Sequence, residues 1–147
     1  MSYRSATKFI EEKGLCKTVG EDSGIYAIVR DNRVLYVGQA VNMKRRTRKH
    51  FWFALNFPIR HKYVLLNKAI DKGVDIDCVV LKPCEISHLD RCEKCCMELF
   101  QSGKRKCPPL NKLNKENEES FPYKTFDEDL YNYASRNLID QSCLNAE

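Results

Sequence analysis

No apolar run in this sequence approaches the roughly 20 residues that a bilayer-spanning helix needs, so no membrane protein is expected. Residues 1–20 lack a continuous apolar segment and carry Glu11 and Glu12 among their lysines, which is not the pattern of a secretory signal. An intracellular location, cytoplasm or nucleus, is the expectation. Internal repeats and low-complexity tracts are also missing, which excludes a solenoid or a linker array. The eight cysteines have irregular spacing and no signal segment before them, so they read as thiols rather than as a disulfide framework. Cys92-x-x-Cys95-Cys96, with Cys84 and Cys107 nearby, lacks the second CxxC or spaced histidine pair that a thiolate zinc site would use. Cys92 and Cys96 instead fall on the core face of an expected helix, where a thiol serves as a small apolar group.

The most informative gap is one of charge. No acid occurs between Asp31 and Asp71, while Arg33, Lys44, Arg45, Arg46, Arg48, Lys49, Arg60, Lys62 and Lys68 all fall in that window. A solvated face normally mixes signs, whereas a one-sign patch is the footprint of a polyanion partner, nucleic acid first. Residues 115–147 run the other way, with three Lys/Arg against eight Asp/Glu, which leaves 22 cations against 12 acids, a net +10, on residues 1–114. That acidic tail offers a site for a protein partner.

What is present fits a single domain with appendages, because 147 residues can bury one core of sheet and helix. Residues 5–14 read as a short helix ending near Gly14. Ile25–Val29 and Val34–Val37 are β-branched and aromatic runs separated by RDNR, a hairpin signal. Asn42 is placed to cap a helix from Met43 to about Ala54, interrupted at Pro58. A second helix is expected over His61–Asp71, with Gly73 supplying the left-handed residue after it. The segment VDIDCVVL reads as a third, more buried strand. Leu89, Cys92, Cys96, Leu99 and Phe100 recur at helical spacing and predict a helix from His88 to about Gln101. SGKRKCPPLN is a loop, and residues 124–144 are expected to form a terminal helix. The class is α+β, a small three-stranded antiparallel sheet flanked by helices.

The triplets Gly24-Ile25-Tyr26 and Tyr36-Val37-Gly38, followed by Asn42, Arg46, His50 and Phe51, resemble the signature of the GIY-YIG nucleases. The resemblance continues through a Glu-bearing helix to Pro-Pro-Leu-Asn ending at Asn111. It implies a GIY-YIG-like nuclease domain over residues 22–114, between an N-terminal helical extension (1–21) and an acidic helical tail (115–147). It also implies cleavage of DNA phosphodiester bonds with one divalent metal, and site roles for Tyr26, Tyr36, Arg46, His50, a helix glutamate and Asn111.

The residues support those roles on their own chemistry. Phosphodiester hydrolysis needs a base or metal to make hydroxide, a cation over the phosphoryl oxygens and stabilisation of the leaving oxygen. On a helix from Met43, Arg46 and His50 lie four apart and share a face with Met43. Lys44, Arg45, Arg48, Lys49 and Lys62 are expected to hold flanking phosphates and so position rather than specify. The tyrosines depend on the turn. A two-residue loop at Asp31-Asn32 pairs Tyr36 with Ala27 and puts the phenols on opposite faces, whereas a three-residue loop or a bulge brings them together.

Of the helix glutamates, Glu98 has the spacing to Asn111 of some repair members, and Glu93 sits in LDRCEKCCMELFQS, closer to phage and homing members. Glu93 shares a stripe with Leu89, Cys92, Cys96 and Met97, where a carboxylate is costly unless it holds a cation. Glu93 is therefore preferred as the ligand of Mg²⁺ or Mn²⁺, with Asn111 as support or a site hydrogen bond. Trp52 and its FWF run read as core rather than as a base-stacking element. Tyr26 is expected to act as, or to orient, the base for a water, which requires a neighbouring cation to lower a phenol that ordinarily titrates near 10. His50 assists or hydrogen-bonds the phosphate. The expectation is a metal-dependent DNA endonuclease; the alternative is a catalytically inactive nucleic-acid-binding module on the same fold.

Overall fold

The computed structural model describes residues 5–30, 33–99 and 110–111. The expected tail helix, most of the SGKRKCPPLN loop and Cys107 lie outside them. Local signals set the element ends. Ser5 accepts from the Lys8 amide through its hydroxyl and opens α1 (Ala6–Lys13), and Gly14 closes it at φ 66°. Strands β1 (Gly24–Arg30) and β2 (Arg33–Ala40) form the hairpin. Asn42 Oδ1 accepts from the Arg45 amide at 3.0 Å and starts α2 (Met43–Asn56). Helix α3 (His61–Asp71) ends before Gly73, at φ 74°, and leads into β3 (Ile76–Pro83). A 3₁₀ turn (Ile86–His88) then runs into α4 (Leu89–Leu99).

The sheet is antiparallel in the order β2-β1-β3. The centre is therefore β1, buried at every residue except Arg30, while β3 is an edge that alternates buried and half-buried positions. This corrects the expectation that VDIDCVVL is the more buried strand. Its apolar residues divide between the two faces of the sheet, Cys78 on one and Leu81 on the other, and the run is interrupted by Asp77, whose Oδ1 accepts from the amides of Cys16 and Cys78.

Two apolar layers clothe the sheet. One face (Tyr26, Ile28, Leu35, Cys78) packs against Ala6 and Ile10 of α1, Met43, Phe51, Ala54 and Leu55 of α2, and Tyr63, Leu66 and Ala69 of α3. The other face (Ile25, Ala27, Val29, Val34, Val37, Leu81) packs against Leu89, Cys92 and Cys96 of α4. Gly24 belongs to a close approach: a Cβ there would lie 2.5 Å from the Lys82 carbonyl oxygen and 3.0 Å from Met43 Cε. The first glycine of the GIY triplet thus lets β1 meet β3 and lets α2 sit down on both.

Register decides where the tyrosines go. Arg30 pairs with Arg33 and Val29 with Val34, the register of a two-residue loop, but the next pair is Ile28 with Tyr36. One residue of β2, Leu35, is left over as a bulge. Tyr36 thereby changes sides and joins Tyr26 on the face covered by α2 and α3. The bulge is held from far along the chain, where the Leu110 amide donates to the Leu35 carbonyl at 2.8 Å.

Candidate active site

Tyr26 and Tyr36 stand side by side with ring centroids 6.2 Å apart. The contact depends on Gly38, which pairs with Tyr26 across the hairpin. A Cβ on Gly38 would lie 2.6 Å from Tyr26 Oη and 2.8 Å from Tyr36 Cε1, so the last glycine of the YVG triplet is the floor on which both rings rest.

Helix α2 lowers His50 onto the pair. Its Nε2 is 2.6 Å from Tyr26 Oη, and its Nδ1 is 3.2 Å from the hydroxyl of Tyr63 on α3. The ring is 2% exposed. Both nitrogens are thus occupied by phenols behind the surface, and of the two roles expected for His50 the geometry leaves the indirect one, support of Tyr26. Burial first, then the charges of Lys62 and Arg46, push its pKa well below the usual histidine value, so the ring is neutral. A neutral imidazole carries one N–H and one lone pair, so one phenol donates to it and the other accepts from it.

One helical turn earlier, the half-exposed Arg46 brings its guanidinium within hydrogen-bonding reach of the Tyr26 and Tyr36 hydroxyls. The Tyr26 phenol is nevertheless pushed upward, because burial and the neighbouring Tyr36 outweigh the pull of Arg46. Tyr36 and Tyr63 are raised by burial too. Arg46, which with the metal is one of two cations expected to lower Tyr26, is in place, but desolvation outweighs it, and without a metal Tyr26 keeps its proton at neutral pH.

Lys62 is the second cation of the cluster. Its Nζ lies 4.4 Å from the centre of the Tyr36 ring and 4.9 Å from that of Tyr63. Burial, Arg46 and Arg60 bring its pKa down to about 8. Expected only as a phosphate contact, Lys62 sits inside the site. Tyr63 was missed altogether, and its signal was a tyrosine on the apolar stripe of α3 with Leu66 and Ile70, a place where a phenol reads as packing. Lys44, Arg45 and Lys49 are exposed and Arg48 is half-exposed along α2, outside the cluster.

Glu93 approaches from the opposite side of the sheet. It is half-buried, its carboxylate is within hydrogen-bonding reach of Gln39, and its charge acts on Tyr36. Gln39 also donates to Asp90 Oδ1 at 2.7 Å. Burial and the Asp90 charge raise the Glu93 carboxyl above the ordinary value, while Gln39 pulls it down. Glu98 is exposed at the far side of α4. Among the described residues no three His, Cys, Asp or Glu side chains gather as a multidentate cage. Glu93, with Asp90 beside it, offers hard carboxylate oxygens of the kind that would anchor a single cation. That donor set fits Mg²⁺ or Mn²⁺.

Asn111 is elsewhere. Its Nδ2 donates to the Val37 carbonyl at 2.7 Å and its Oδ1 accepts from the Val37 amide at 2.8 Å. With Leu110, it pairs the outer edge of β2, which would otherwise present open backbone groups. Of its two expected roles, support is the one it fills.

The buried neutral histidine has a consequence for stability. Its folded pKa is depressed, so its contribution is complete above the unfolded value of about 6.5 and is lost as pH falls below that, at up to about 1.4 kcal/mol per pH unit. Urea unfolding at pH 7.5 and 5.5 is expected to show a loss for the wild type about 1–1.4 kcal/mol larger than for His50→Gln, whose amide does not titrate. Equal losses would mean that His50 takes up its proton in the native state.

Compared with models of known protein families, with curated proteins and with solved structures, the chain matches none.

Proposed function

We propose that this protein is a metal-dependent endonuclease that hydrolyses DNA phosphodiester bonds, of the GIY-YIG type that its triplets resemble. The observation that carries the reading is the meeting of Arg46 and Lys62 over the phenols of Tyr26, Tyr36 and Tyr63, in a stretch without a single acid. Burial and the neighbouring Arg46 hold down the proton affinity of Lys62, and two cations brought together in this way form a site for an anion. A phosphate placed there relieves Lys62, which is otherwise held at about 8 and so regains its charge in full.

Within this reading Arg46 carries the charge that develops on the phosphoryl oxygens, in a partly buried setting where a fixed cation is worth more than in water. Tyr36 positions the phosphate or the attacking water. Tyr26, which keeps its own proton, orients that water rather than deprotonating it outright, and His50 holds the Tyr26 hydroxyl in one rotamer. When bound at Glu93, Mg²⁺ or Mn²⁺ supplies Lewis-acid chemistry to a phosphoryl oxygen and to water. The surface cations Lys44, Arg45, Arg48 and Lys49 hold neighbouring phosphates.

The raised Tyr26 phenol also favours a second reading, a nucleic-acid-binding module on this fold that does not cut. Supercoiled plasmid incubated with Mg²⁺ or Mn²⁺ separates the two. Nicking is expected from the wild type and from Glu98→Gln, and is expected to disappear in EDTA and in Glu93→Gln. Salt-sensitive binding without nicking by the wild type selects the second reading. Nicking that survives in Glu93→Gln removes that residue from the metal site.

A further inference from the structure

The outward stripe of α2 is a row of cations that ends in an indole. Arg45, Arg48, Lys49 and Trp52 fall at the spacing of one helix face, opposite the stripe that buries Met43, Thr47, His50, Phe51 and Ala54. Sequence reasoning assigned Trp52 to the core, but it is 39% exposed, and the α2–α3 connection adds Phe57 at 50% and Ile59 at 68%. These are three of the five large apolar side chains that stand exposed among the described residues. They occur where the chain is otherwise most basic.

The indole is tied to the candidate site by rings in contact. Trp52 meets Phe53 edge-on at 5.1 Å, Phe53 stacks on Tyr63 at 5.1 Å, and Tyr63 lies 5.8 Å from His50. Three ring-to-ring steps place Trp52 only a few base steps from the phenols, since duplex rise is about 3.4 Å per step.

We propose that Trp52, with Phe57 and Ile59, forms a stacking platform for an unpaired base, so that this protein engages DNA where a strand is splayed or single-stranded. The proposal rests on the phosphodiester reading for the sense in which that DNA is a substrate. Charge selects the class of partner: arginine and aromatic side chains also suit protein interfaces, but a face within a stretch that holds no acid between Asp31 and Asp71 is the footprint of a polyanion, and cations beside an aromatic face are the ordinary build of a single-strand groove. Shape selects the form of the DNA. A duplex hides the faces of its bases, and an exposed indole gains stacking only from a base that has left the stack; the apolar Phe57 and Ile59 suit the wedge position beside such a base.

Trp52 is the only tryptophan in the chain, so its emission reports on this platform alone. The full-length protein, in EDTA so that nothing is cut, is titrated with an oligothymidylate of about twelve nucleotides and with a blunt duplex of equal length. Binding is followed by tryptophan emission and, separately, by anisotropy of labelled DNA. The expected result is strong quenching by the single strand, little by the duplex, and an affinity of Trp52→Ala for the single strand reduced about tenfold, with Trp52→Phe close to the wild type. Thermal melts establish that each variant is folded. Unchanged affinity in Trp52→Ala overturns the proposal, as does equal quenching by the duplex. Emission that neither DNA alters also overturns it and leaves the patch to a protein partner. Because the titration involves no cleavage, its failure and a failure of plasmid nicking are read independently.

Discussion

Arg46→Ala is expected to lower plasmid nicking by about two to three orders of magnitude while leaving the protein folded. The size of the effect follows from where the guanidinium sits. It is half-exposed, within reach of the Tyr26 and Tyr36 hydroxyls, and flanked by no acid between residues 31 and 71. Its removal therefore takes away one of the two cations beside the phenols without stranding a buried counter-charge, and the cost falls on the reaction. Arg46→Lys is expected to recover little. An ammonium cannot reach two phenols and a phosphate with the planar fork of a guanidinium. The measurement is single-turnover nicking with matched melting curves. A variant that is folded and within about tenfold of the wild type would show that charge at this point is dispensable.

Gly38→Ala is the change with the largest expected effect on the fold around the site. One methyl group would have to occupy space 2.6 Å from Tyr26 Oη, 2.7 Å from its Cζ and 2.8 Å from Tyr36 Cε1. Neither ring can withdraw easily, because Tyr26 is buried and bonded to His50 while Tyr36 lies under Lys62. Overpacking of this kind costs about 1–3 kcal/mol, and the phenols move with it. The expected result is a loss of about 2 kcal/mol in urea unfolding together with a loss of nicking out of proportion to the fraction unfolded. Wild-type stability in Gly38→Ala would mean that the hairpin relaxes around the methyl group.

The pattern of what could be read in advance follows from the range of the forces involved. Helix ends were legible because their causes are local: Ser5 and Gly14, Asn42, and Gly73 each act within a turn. The shared helix face of Arg46 and His50 followed from spacing alone. Hairpin register was not legible, because the bulge at Leu35 is held by the Leu110 amide and sits beside the Asn111–Val37 pair, more than 70 residues away. The burial of β3 was misjudged because side-chain composition does not say which strand is central. Tyr63 escaped because a tyrosine among leucines looks like packing, and it is packing, with its hydroxyl at work on His50. The Tyr26 phenol moves opposite to expectation for a related reason: the nearby cation is visible in sequence, the depth of burial is not.

The bulge at Leu35 makes the hairpin a matter of parity. With strands that alternate faces, Tyr36 belongs to the helix-covered side of the sheet when β2 carries one extra residue between its Val34 and Tyr36 pairs, and to the α4 side when it does not. With the Arg30–Arg33 turn kept, an insertion or deletion of one residue within β1 or β2 is thus not a small version of a change by two. It exchanges the contents of the two faces, sending Tyr36 under α4 and exposing the floor at Gly38, whereas a change by two restores them. Relatives of such a site whose strands differ in length between the turn and the tyrosines are expected to differ in steps of two, or to compensate a single step by gaining or losing a bulge.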